Sequence, residues 1–120
     1  MAVTERIAQI EQGSPYGTFR QLADRLGVSE ERLRGVLGFA AATLHRRKLA
    51  GRFTLEESNR LYWLTSLLDT AEIVLEDPEE VKDFMTTGNL ALGGAEPLAY
   101  ARTAPGLDAV RRLLLQLDHG

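Results

Sequence analysis

Residues 54–75 read TLEESNRLYWLTSLLDTAEIVL, and the fold turns on this stretch. Thr54 and Glu57 fit the S/T-x-x-E capping box, in which each side chain satisfies an orphan backbone N–H at a helix start. Leu61, Leu64, Leu68, Ala71 and Leu75 then recur at steps of three and four, a helical stripe. Trp63, Leu67 and Val74 form a second stripe beside it. A surface helix needs only one such stripe. Two stripes predict a central helix buried on more than one side, with one domain before it and another after it. A second copy of the chain on the remaining face, or a core helix of one globular domain, satisfies the same periodicity.

Toward the N-terminus the stretch is preceded by three short helical patterns. Phe19–Leu26 places Phe19, Leu22, Ala23 and Leu26 on one face, with Thr18 as its expected cap and Gly27 at its end. Ser29 caps the next, with Glu30 and Glu31 in the first turn where the helix dipole favours acids, and Gly38 ends it. The third, about Ala40–Leu49, offers Ala41 and Leu44 for packing and then His45, Arg46, Arg47 and Lys48. No acid occurs between Arg32 and Leu55. Short helix, glycine-bearing turn and short helix with a basic end is a helix-turn-helix layout, whose second helix enters the DNA major groove. Thr43, His45, Arg46, Arg47, Lys48 and Arg52 are the candidate DNA contacts. A three-helix bundle with a solvated basic face is the alternative. Farther out, residues 1–12 fit a short amphipathic helix bearing Ile7 and Ile10, and residues 13–17 a loop.

Toward the C-terminus, Asp77-Pro78-Glu79-Glu80 is a strong helix start, and Thr87-Gly88 stops that helix. Asn89–Ala95 reads as irregular, Pro97–Ala101 as a short helix, Pro105-Gly106 as a turn, and about Leu107–Leu117 as the last helix. No stretch alternates long enough for a strand, so the fold class is all-α.

Composition bounds the function. The chain has 120 residues, 44% hydrophobic and 26% charged, and no cysteine, which excludes disulfide and thiol chemistry. No apolar run approaches the ~20 residues of a membrane span, and residues 1–12 lack the pattern of a secretory signal, so a cytoplasmic location is expected. The net charge of −3 hides an asymmetry. Residues 1–55 hold nine Lys/Arg and five Asp/Glu, a net +4; residues 56–120 hold five and twelve, a net −7. Halves of opposite sign suggest a different partner for each. Catalytic patterns are missing. His45 and His119 fit no metal-ligand spacing, Gly93-Gly94 lacks a phosphate-loop context, and no serine is flanked as G-x-S-x-G. No enzyme, cofactor or metal is expected.

The string Asn89-Leu90-Ala91-Leu92-Gly93-Gly94, with Pro97-Leu98, Gly106, Val110 and Leu117-Asp118-His119-Gly120, resembles the C-terminal toxin-binding domain of the Xre/MbcA/ParS-type antitoxins. Leu26–Glu31, Leu37-Gly38, Thr43-Leu44 and Arg46-Arg47 resemble that family's Xre-type helix-turn-helix. The resemblance covers about residues 18–120. It implies an N-terminal Xre-like helix-turn-helix in residues 1–53, and a long central helix with a small helical toxin-binding domain in residues 54–120. It further implies a RES-domain toxin that consumes NAD or transfers ADP-ribose from it, an NAD pocket that the antitoxin blocks, operator DNA that it represses, and a homodimer. The expected toxin contacts are Asn89, Leu92, Gly93, Gly94, Pro97, Arg111, Leu114, Asp118, His119 and Gly120. The expected dimer contacts are Leu61, Trp63, Leu64 and Leu67. One departure stands out: the third helix opens on Ala40, often serine in the family, followed by Ala41 and Ala42. Alanine neither caps a helix nor hydrogen-bonds to bases. The expectation is DNA binding dominated by phosphate contacts, with modest direct readout, or else weak DNA binding.

Overall fold

Thr54 opens the central helix as its capping box requires. Its Oγ1 accepts from the Glu57 N–H at 3.3 Å, and Glu57 Oε1 accepts from the Thr54 N–H at 2.9 Å. The computed structural model describes residues 3–118, apart from the Gln9 side chain. Its helices are α1 (Val3–Gln12), α2 (Tyr16–Leu26), α3 (Glu30–Leu37), α4 (Ala41–Ala50), α5 (Leu55–Leu75), α6 (Pro78–Thr86), the single turn α7 (Pro97–Tyr100) and α8 (Ala104–Asp118). Among the described residues the one β-type pairing is an isolated antiparallel bridge, Pro15 to Arg52, so the fold is all-α.

Each half uses α5. Helices α1 and α2 pack on it from the N-terminal side, α6 and α8 from the C-terminal side. Ser58, Leu61, Leu64, Leu67, Leu68 and Ala71 are its buried residues. This chain buries Leu61, Leu64, Leu68 and Ala71 of the first stripe, but of the second only Leu67 is buried, with Val74 partly covered and Trp63 half exposed. One continuous apolar cluster results, running from Phe19, Leu22 and Leu26 through Leu61, Leu67 and Leu68 to Met85, Leu98, Val110 and Leu114. Burial of such side chains is the main favourable term in folding. A smaller aromatic group, Tyr16, Phe19, Phe39 and Phe53, closes the helix-turn-helix, with ring centroids 5.6–6.1 Å apart.

Local signals placed most boundaries. Ser29 Oγ accepts from the Arg32 N–H at 3.1 Å, and Asp77 caps α6 by accepting from the Glu79 N–H at 3.0 Å. Gly27 and Gly38 end α2 and α3 in the left-handed conformation, φ 66° and 76°. Two expectations are corrected. Helix α2 begins at Tyr16 rather than Phe19, because Pro15 (φ −59°) starts it and the Tyr16 ring is buried on Phe53. Helix α8 begins at Ala104, so Pro105 and Gly106 lie in its first turn rather than in a loop before it. Thr103 Oγ1 accepts from the Gly106 N–H at 3.1 Å, and proline is tolerated in a first turn that needs no N–H from it.

Candidate functional site

The basic helix α4 buries none of its residues, and its N-cap, Ala40, makes no side-chain cap. Two attachments hold it. Leu44 packs against the core, and Arg47 reaches Glu57 on α5 through two hydrogen bonds, Nε to Oε1 at 2.6 Å and Nη2 to Oε2 at 3.1 Å. The same Glu57 carboxylate completes the α5 capping box. Burial pushes the Glu57 carboxyl up, but the Arg47 and Thr54 hydrogen bonds outweigh it and hold it below the usual carboxylate range. Glu57 thus joins the last turn of α4 to the first turn of α5.

The six residues that sequence grouped for DNA fall into different settings. His45, Arg46 and Lys48 are exposed on α4. Among the described residues neither Arg46 nor Lys48 pairs with a carboxylate, and Arg46 only reaches Thr43 Oγ1 at 3.3 Å. Arg47 is turned inward to Glu57. Arg52 donates to the Gly13 carbonyl at 2.8 Å and ties the loop before α2 to the loop before α5. Gly13 sits at φ 88°, and a Cβ there would collide with the Phe53 carbonyl, so that junction takes only glycine. Ser58 was not singled out from sequence. It is fully buried, and its hydroxyl accepts from the Ser14 N–H at 2.7 Å, closing the same junction.

At the other end, the Asn89–Ala95 segment is a closed loop built on one 3-10 turn, Leu90–Leu92. Asn89 Oδ1 accepts from the Ala91 N–H at 2.9 Å, and the Asn89 N–H donates to the Ala95 carbonyl at 3.0 Å. Gly93 and Gly94 take φ 69° and 89° to reverse the chain. Asn89, Gly93 and Gly94 therefore shape the loop. Pro97 and Leu114 are buried, Leu92 and Arg111 are partly buried, and Asp118 is exposed. His119 and Gly120 lie outside the described residues. The prominent group is Leu90, 95% exposed at the tip. It lay within the recognised string, yet neither stripe nor cap distinguished it. Arg32 on α3 forms an ion pair with Glu96, just beyond this loop, and so links the N-terminal and C-terminal halves of the chain.

The four expected dimer residues also divide. Leu61, Leu64 and Leu67 are buried in the chain's own core, because α6 and α8 cover that side of α5. Only Trp63, half exposed, presents surface. It lines a groove of about 590 Å³ between the end of α3, α5 and the α7–α8 junction, with Val36, Arg60, Tyr100 and Arg102.

Residues 5–66 match the family model described as the antitoxin Xre-like helix-turn-helix domain. Residues 70–120 match that of the antitoxin Xre/MbcA/ParS C-terminal toxin-binding domain. The chain belongs to the Xre/MbcA/ParS-type antitoxins. A comparison with curated proteins found no match. This antitoxin therefore carries a DNA-binding helix-turn-helix and a toxin-binding domain, consecutive in one chain and packed on one helix. Among the described residues no helix is long and apolar enough to cross a membrane, and no group of His, Cys, Asp or Glu is placed to hold a metal ion.

Proposed function

We propose that this antitoxin neutralises a RES-domain toxin by laying the Asn89–Leu98 segment and the end of α8 over the toxin's NAD pocket, and that it represses its own operon through α4. The observation that carries the neutralising half is Leu90. A leucine almost wholly in solvent, on a turn already fixed by hydrogen bonds, is a contact group that needs little ordering on binding. The net −7 of residues 56–120 supports a partner that binds anionic NAD and is basic at its mouth. Arg111, Asp118, His119 and Gly120 belong to the proposed toxin contact.

The DNA half rests on His45, Arg46 and Lys48, exposed on a helix with no acid of its own, with Thr43 and Arg52 beside them. Residues 1–53 act on DNA and residues 54–120 on the toxin in this reading. The working unit is a cytoplasmic homodimer to which Trp63 contributes.

The test is affinity capture of the tagged chain from its native cells, with bound proteins identified by mass spectrometry. A RES-domain protein should appear in near-stoichiometric amount, its NAD consumption should fall as the antitoxin is added, and Leu90→Glu should weaken both effects. Recovery of the chain with DNA alone would instead favour a stand-alone helix-turn-helix regulator.

A further inference from the structure

Thr43, Leu44 and Arg47 are the partly buried residues of α4 and mark the side turned to the body of the protein. At ~100° per residue, the ridge opposite them is Ala42, His45 and Leu49. All three are exposed, Leu49 at 76%. Arg46 and Lys48 flank this ridge, one on each side. A single exposed leucine is commonplace. This one differs in register: it continues the line of Ala42 and His45, between two cations that pair with no carboxylate among the described residues.

In the major groove, base edges present hydrogen-bonding groups and one apolar group, the 5-methyl of thymine. Alanine and leucine can meet only the last of these. With Arg46 and Lys48 set toward the two phosphate strands, the ridge between them faces the base edges. We propose that α4 reads thymine-containing steps through apolar contact of Ala42 and Leu49 with thymine 5-methyl groups. His45 is the single polar reader on the ridge. This deepens the DNA-binding role of α4 proposed above and rests on it. The alanines that open α4 then supply readout rather than merely lacking it.

The test uses the full chain and duplexes selected by it from a random-sequence library. Each selected duplex is remade with deoxyuridine for thymidine, which removes only the 5-methyl groups. Affinity should fall about four-fold for each contacted methyl, the effect of losing one buried methyl. Leu49→Ala, a change at an exposed side chain, should shrink the thymine-to-uracil affinity ratio. Salt-dependent binding that is equal on both duplexes would overturn the methyl readout and leave the DNA-binding role standing. A ratio unmoved by Leu49→Ala would also overturn it. Failure to bind any duplex at low salt would overturn both.

Discussion

Arg47 shows how one contact changes the meaning of a residue. In sequence it is the middle of a His-Arg-Arg-Lys run, and a basic run on a second helix reads as phosphate contact. In the structure the Nε–Nη2 edge of its guanidinium is held by Glu57, which leaves Arg46 and Lys48 as the cations of the run that pair with no carboxylate among the described residues. The two roles give opposite signs in a binding measurement. If Arg47 touched phosphate, Glu57→Gln would release it and strengthen DNA binding, and Arg47→Ala would flatten the salt dependence by about 0.9 in log–log slope. If Arg47 positions α4, both substitutions should weaken binding, the double variant should be no worse than the single ones, and the slope should hold. We expect the second pattern from fluorescence-anisotropy titrations at several salt concentrations, with circular dichroism to show that the total helix content is kept. The same pair sets a pH dependence. The Glu57 carboxyl is held low in the folded chain, so its stabilising contribution is complete above the unfolded glutamate value of about 4.3 and is lost as pH falls through the lower folded value. Glu57→Gln should therefore flatten the acid limb of stability measured by urea unfolding. An acid limb parallel to that of the native chain would place the titration elsewhere.

Elements differ in how much of their placement is local. Helices α3, α5 and α6 begin where a Ser, a Thr-x-x-Glu box and an Asp-Pro pair put them, because each signal satisfies backbone groups within three residues of itself. The start of α8 depends on distance. Gly106 reads as half of a Pro-Gly turn, but it sits in the first helical turn, where a Cβ would collide with the Tyr100 carbonyl at the end of α7. Helix propensity alone makes Gly106→Ala favourable by up to ~1 kcal/mol. Packing makes it unfavourable, since α8 must retreat from α7 to admit a methyl, and overpacking of this kind costs about 1–3 kcal/mol. We expect a net loss of stability in chemical denaturation; a gain would mean that α7 and α8 are not in such close contact. The stripes of α5 illustrate the same divide. Periodicity marks Leu61, Leu64 and Leu67 as buried, but a helical wheel carries no record of what buries them; of the covering helices α6 follows α5 directly, while α8 comes from sequence far downstream. The Asn89–Gly94 loop is the intermediate case. Its asparagine and glycines announce a turn, while the exposure of Leu90 appears only once the loop is closed.

At the scale of the whole molecule the two activities share one core, and this decides how they can be dissected. Helix α5 is covered by α1 and α2 on one side and by α6 and α8 on the other, α2 also touches α6, and Arg32 pairs with Glu96 across the two halves. Removing residues 77–120 would therefore bare Leu61, Leu64, Leu68 and Ala71 to water rather than leave an intact DNA-binding unit. Two modules joined by a linker would unfold in two steps; a shared core should unfold in one, as small single domains do. Leu114, fully buried on α8, offers the test, because it lies in the half assigned to the toxin. Leu114→Ala should cost about 2–5 kcal/mol, the usual range for a leucine-to-alanine cavity. Trp63, the single tryptophan, stands on α5 near the end of α3 and reports the tertiary packing there, while far-UV circular dichroism reports all the helices together. Both probes should shift by the same amount along urea and give superimposable curves. DNA affinity measured well below the midpoint should change little, because the folded population still presents α4 unaltered. Separated curves, with the Trp63 signal unmoved by Leu114→Ala, would instead show that the helix-turn-helix holds itself together and that the boundary between the halves is a true domain boundary.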